Sequence, residues 1–246
     1  MDCSYPFIEL QVDFCKELTK RFGIPFEESV LNYTNLGRQL GLNDSSELSD
    51  RFFTFATETL DLAQWTWQFY SNLPAKPLSS KRIFGYFNYD VRDVVVLRMH
   101  LVGTENSPMS VLGSEFQSQR IQEITELQRH VANNEPHVLY AKGCSWLYNL
   151  EAYQRLFPPK FIQAMAEPDY DQFSYLSLWG QFLNRDGSIR QNFAKDLFSR
   201  LDSISDIGSL MACFPNRPLI GVCEIEVFRH FYGITSSETS LASETT

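Results

Sequence analysis

Val138 to Pro159 reads VLYAKGCSWLYNLEAYQRLFPP. A short apolar run ends at Gly143, the trio Gly143, Cys144 and Ser145 follows, and an amphipathic, aromatic-rich segment begins at Trp146. That order predicts a strand over 138–142, a tight turn, and a helix over 145–156 stopped by Pro158 and Pro159. It sets a thiol and a hydroxyl at a helix entrance, where unpaired backbone N–H groups attract negative charge.

Immediately upstream the pattern is also β-like. Arg82 to Tyr89 and Val94 to Val102 are runs of β-favouring residues, and the polar stretch Asp90 to Asp93 between them predicts a hairpin. In the second run Val95, Leu97, Met99 and Leu101 fall on one side, so Arg98 and His100 share the other. Gly103 to Ser110 then reads as a loop and 110–132 as a helix with Leu112, Phe116, Ile121, Ile124, Leu127 and Val131 on its apolar side.

The first third is helical in pattern. Phe7, Leu10, Phe14, Leu18 and Phe22 form one stripe stopped at Gly23, and Pro25 with Glu27 and Glu28 opens a second helix. A third, entered through Asn43 to Ser46, carries Leu48, Phe52, Phe55, Leu60, Ala63, Trp67 and Tyr70. The connector LPAKPLSSK (73–81) separates this lobe from the rest. Beyond the central region, Phe173 to Leu183 alternates loosely and is predicted as a strand, with Trp179 and Gln181 on one face. A ring for stacking beside an amide for hydrogen bonding suits a ligand pocket. Helices are expected from Ser188 and over Cys223 to Tyr232, and the tail ITSSETSLASETT (234–246) lacks the bulk for a core. The fold expected is therefore α+β: a helical N-terminal lobe (1–73), then a small mixed β-sheet flanked by helices (82–233).

Composition narrows the function classes. A net charge of −9 without a basic run repels phosphate backbones, which argues against nucleic acid as partner. No apolar run approaches the roughly 20 residues that span a bilayer. The start MDCSYPFIEL has no basic residue, which argues against a secretory signal. The five cysteines are scattered and include no Cys-x-x-Cys pair, as expected of free thiols in a reducing, cytoplasmic setting. The four histidines have no metal-ligand spacing, so no metal is expected.

Two short motifs carry a resemblance. Met99-His100-Leu101-Val102 ends the second strand of the hairpin; Ser145-Trp146-Leu147-Tyr148 and then Leu156-Phe157-Pro158 follow the helix at 110–132. In this order, over about residues 95–185, the chain resembles a bacterial acyltransferase-like family related to GCN5-type N-acetyltransferases. The resemblance implies an acetyltransferase-like fold, coenzyme A or an acyl-coenzyme A as cofactor, and transfer to a small-molecule or protein acceptor. The diphosphate loop of that fold, Arg/Gln-x-x-Gly-x-Gly/Ala, has its nearest counterpart in Arg38 to Asn43, within the helical lobe.

On this reading His100 is the proton acceptor and Ser145 lines the site for a developing oxyanion. Arg98 holds a carboxylate or phosphate, and Trp146, Trp179 and Gln181 contact substrate. Two further readings stay open. Cys144, with a thiolate favoured by a helix N-terminus and His100 or His137 as base, would make a hydrolase or transferase. A non-catalytic module binding a ligand or protein through its aromatic surface is the other. Each candidate also has a plain structural role: Cys144 as a small buried group, Ser145 as a helix cap, Trp179 as core.

Overall fold

The computed structural model describes residues 4–74, 82–102, 110–170, 173–184 and 186–234. In chain order the elements are α1 (Tyr5–Phe22), α2 (Phe26–Glu28), α3 (Leu36–Gln39), α4 (Ser46–Ala56), α5 (Leu62–Ser71), β1 (Phe87–Arg92), β2 (Val96–Leu101), α6 (Gln117–Asn134), β3 (Tyr140–Ser145), α7 (Glu151–Gln154), α8 (Pro159–Gln163), α9 (Leu176–Trp179), α10 (Gln191–Leu201), β4 (Leu219–Glu224) and α11 (Ile225–Phe231). They form two compact units. A helical unit takes Met1–Pro77 and Pro168–Pro218; a sheet unit takes Leu78–Glu167 and Leu219–Thr246. The chain is thus mixed α and β, as expected, but the division differs from a linear one at residue 73: 168–218 returns to the helical unit. Most of the predicted tail, 235–246, lies outside the described residues, as does most of the connector.

The helical unit buries the stripe expected of α1. Phe7, Leu10, Phe14 and Leu18 are in the core, and Gly23 ends the helix in the left-handed region (φ 68°), its N–H donating to the Thr19 carbonyl. The long helix expected through 48–72 is instead two. Asp61 accepts a hydrogen bond from the Gln64 N–H, capping a new helix with its own phase, so Phe52, Phe53 and Ala56 are buried in α4 and Ala63, Thr66 and Phe69 in α5. Residues 173–183 are no strand. They form α9 and a 3₁₀ turn, Gly180–Phe182, because Phe173, Leu178, Trp179 and Phe182 reach the core only at helical spacing.

The sheet unit is a four-stranded sheet in the order β1-β2-β3-β4. β1 and β2 make an antiparallel hairpin of six residue pairs, from Phe87↔Leu101 to Arg92↔Val96. β3 and β4 make another, from Tyr140↔Glu224 to Ser145↔Leu219. The two hairpins join along a parallel seam of only three pairs, Val96↔Tyr140, Leu97↔Ala141 and Arg98↔Lys142. The connection from β2 to β3 runs through α6, as a parallel pair requires. Buried Ile124, Leu127 and Val131 of α6 and Phe228 of α11 pack with Phe87, Leu97 and Ala141.

Three boundaries move relative to the sequence expectation. The hairpin turn is Asp93–Val95, so Asp90 belongs to β1. β3 runs to Ser145, and the helix expected over 145–156 is a 3₁₀ turn, Trp146–Asn149, followed by the four-residue α7. β4 occupies the first half of the segment after Pro218, and the helix expected from Cys223 starts at Ile225.

Candidate functional site

Strand alternation gives the sheet two unlike faces. Phe87, Tyr89 and Val91 of β1, Leu97, Met99 and Leu101 of β2, Ala141 of β3, and Leu219 and Cys223 of β4 pack in the core. The opposite face carries Asn88, Asp90 and Arg92, then Val96, Arg98 and His100, then Tyr140, Lys142 and Cys144, then Ile220, Val222 and Glu224. Tyr140 is 43% exposed and Val222 46%, so this second face reaches solvent. It is the polar face, and the expectation that Arg98 and His100 share a side holds.

His100 Nε2 lies 2.9 Å from Asp90 Oδ2, and the Asp90 side chain is only 12% exposed. Arg92 Nε donates to the other carboxylate oxygen at 3.1 Å. A carboxylate held this way fixes the imidazole's orientation. Asp90 escaped the sequence reading because it was placed in the turn. The signal was present: Phe87, Tyr89 and Val91 alternate with Asn88, Asp90 and Arg92, which extends the strand past Tyr89.

The seam between β2 and β3 ends at Arg98↔Lys142, yet both strands continue, to Leu101 and Ser145. By strand alternation His100 and Cys144 lie on the same face, each two residues beyond that last pair. Ser145 falls on the other face, and its Oγ accepts from the Leu147 N–H at 3.1 Å, capping the 3₁₀ turn. The pairing of His100 with Ser145 is therefore corrected: the sheet lies between them. The helix-entrance argument for Cys144 is corrected too, since Cys144 sits within β3, before a turn too short to have a useful dipole.

Behind β3 the environment is aromatic. A methyl group at Gly143 would fall on the Tyr148 hydroxyl, so glycine lets that ring lie against the strand. Burial holds the Tyr148, Tyr153 and Tyr232 hydroxyls well above the usual phenol range, and they stay protonated. Tyr232 donates to the Leu156 carbonyl at 2.6 Å. Trp146 is buried, 6% exposed.

Trp179 and Gln181 belong to the helical unit, and both are wholly buried. Trp179 Nε1 donates to the Phe173 carbonyl at 2.7 Å. Gln181 Nε2 donates to the carbonyls of Leu178 and Asn216, and its Oε1 accepts from the Asn216 N–H at 2.9 Å. Their polar groups are spent on holding that core together, so the substrate-contact expectation is corrected for both.

The segment Arg38 to Asn43 does not fit a diphosphate. Such a group needs backbone N–H donors aimed outward, but those of Gln39, Leu40, Gly41 and Leu42 donate to the carbonyls of Asn35, Leu36, Arg38 and Gly37. Arg38 itself stacks on the Tyr175 ring at 4.0 Å and donates to Ser174 Oγ. Among the described residues no cluster of His, Cys, Asp or Glu could hold a metal ion, and no helix is long and apolar enough to cross a membrane.

Comparison of the chain with protein-family models, with curated proteins and with solved structures returns no match.

Proposed function

We propose that the sheet unit is an acyl-transfer module whose reacting groups are Cys144, His100 and Asp90 on the open face of the sheet. The observation that supports this is the Asp90–His100 bond of 2.9 Å, with Cys144 on the same face of the adjoining strand, two residues past the last paired row. The three groups are the types a thiol nucleophile needs: nucleophile, base, and a largely buried carboxylate that orients the base.

The chemistry follows from those roles. His100 takes the Cys144 proton, and the thiolate adds to the carbonyl carbon of an activated acyl donor, an ester or thioester. A carbon–sulfur bond forms, the donor's alcohol or thiol leaves, and it departs with the proton from His100. In the second half His100 takes a proton from the acceptor, whose nitrogen or oxygen bonds the acyl carbon as the carbon–sulfur bond breaks, and the departing Cys144 thiolate recovers that proton from His100. An amine, an alcohol or water can serve as acceptor.

The test is trapping of the acylated protein. Mixed with an aryl ester, the wild-type chain should gain one acyl mass, located on the peptide that contains Cys144. Cys144→Ala should gain none, and His100→Ala should gain it at least a hundredfold more slowly. Equal acylation of Cys144→Ala ends the proposal.

A further inference from the structure

The seam that carries the reacting groups also carries an electrostatic anomaly. Arg98 and Lys142 are register partners in the parallel β2/β3 ladder, and both lie on the open polar face. Like charges directly opposite one another in neighbouring strands are unfavourable. The chain has 30 acidic residues and a net charge of −9, so carboxylates are plentiful. Yet among the described residues neither Arg98 nor Lys142 makes a hydrogen bond or an ion pair.

The neighbouring carboxylate is directed elsewhere. Asp90 stands opposite Arg98 across the β1/β2 hairpin, but its oxygens bond His100 and Arg92. Glu224, the acidic residue of β4 on this face, pairs in register with Tyr140, one row away from Lys142. Both cations are half-buried, which strengthens attraction to an opposite charge compared with a fully solvated pair.

We infer that Arg98 and Lys142 form a subsite for the anionic end of the substrate, a carboxylate or a phosphate. Arginine offers a planar fork that matches either group, and lysine adds a point charge from the adjoining strand. The pair lies two residues along the strands from His100 and Cys144, about 7 Å. The substrate would then carry its anionic group about 7 Å from the acyl carbonyl. That spacing rests on the acyl-transfer reading; anion binding by the pair does not. Lys142 was hidden in the sequence because the run 138–142 reads as apolar, and only the register with Arg98 brings the two charges together.

The experiment measures binding without turnover. Thermal unfolding is followed at low salt with inorganic phosphate and, separately, with glutarate, for the wild type, Arg98→Gln, Lys142→Gln, Lys142→Arg and the control Lys16→Gln. Lys16 is on α1, paired with Asp13. At tenfold excess over Kd, the effective anion should raise the wild-type Tm by roughly 4 °C. The shift should vanish in Arg98→Gln and Lys142→Gln and persist in Lys142→Arg and Lys16→Gln. A shift with phosphate alone identifies a phosphoryl group, and one with glutarate alone a carboxylate. No shift with either anion, or an equal shift in both glutamine variants, overturns the subsite. An anion shift in a protein that cannot be acylated at Cys144 keeps the subsite and removes the acyl-transfer reading instead.

Discussion

His100 bonds Asp90 along a diagonal of the β1/β2 hairpin and passes over Asn88, the residue directly opposite it. Because Asp90 is opposite Arg98, this diagonal withdraws the carboxylate from the arginine and gives it to the imidazole. The arrangement depends on hairpin register, since a slip of one residue would turn Asp90 into the core. The turn Asp93–Val95 therefore contributes to the geometry of the site as well as to the fold.

Asp90→Asn should keep the shape of the hydrogen bond while removing the carboxylate charge beside His100. Acyl transfer should fall by about 10²–10⁴, in kcat more than in KM. Steady-state kinetics with an aryl ester checks this. An unaltered kcat would remove Asp90 from the mechanism.

The hairpin turn itself is strained. Asp93 and Val94 both adopt positive φ, 49° and 66°, and a β-branched residue is disfavoured there. Val94 is 69% exposed, so its side chain contributes little packing. Val94→Gly should stabilise the protein by about 1 kcal/mol after the extra chain entropy of glycine is allowed for. Denaturant unfolding of the two proteins measures it; a less stable variant would refute the strain argument.

Glu123 makes stability depend on pH. Its carboxylate accepts from the Tyr86 N–H at 3.1 Å and lies 3.1 Å from Arg120 Nη2, beneath Gly85, where a side chain would collide with it. Burial pushes the Glu123 carboxyl above its ordinary value of 4.5, opposed by the Tyr86 N–H and by Arg120. The folded state thus holds this proton to higher pH than the unfolded chain does. The stabilising contribution is complete below about pH 4.5 and is lost as pH rises through the raised value. Relative to Glu123→Gln, the wild-type Tm should fall as pH increases from about 4 to 7. A constant difference across that range would contradict the assignment.

Cysteine labelling should rank the thiols. Burial raises Cys15 and Cys213, and pushes Cys223 up to about 11, so these three are poor nucleophiles near neutrality. Cys144 lies on the same face of the sheet as His100. With iodoacetamide at pH 7, Cys144 should be modified at least tenfold faster than Cys15, Cys213 or Cys223, and His100→Ala should remove most of that advantage. Mass spectrometry of the peptides decides; parity among the four would leave Cys144 as ordinary packing.

How far the sequence could be read depended on whether local pattern and tertiary context agreed. The α1 stripe and its Gly23 stop, the hairpin, and the shared side of Arg98 and His100 follow from periodicity alone. The Phe173–Leu183 run misled because serines between large side chains mimic alternation, while Trp179 and Phe182 pack at helical spacing. β4 was missed although Leu219 to Cys223, directly after Pro218, is a short apolar run; overlap with the following helix obscured it. The site was legible by residue and not by pairing. His100, Arg98 and Cys144 stand out as types, but Asp90 and Lys142 acquire meaning only from strand register, which no single segment encodes.

The interleaving of the two units has a consequence for biosynthesis. Helices α1 to α5 leave the ribosome first but belong with α9 and α10, which emerge after the sheet unit has been nearly completed. The sheet unit in turn waits for β4 and α11. Neither half can close on its own during translation, so nascent chains shorter than about residue 218 would expose apolar helix faces and be natural clients of a holding chaperone.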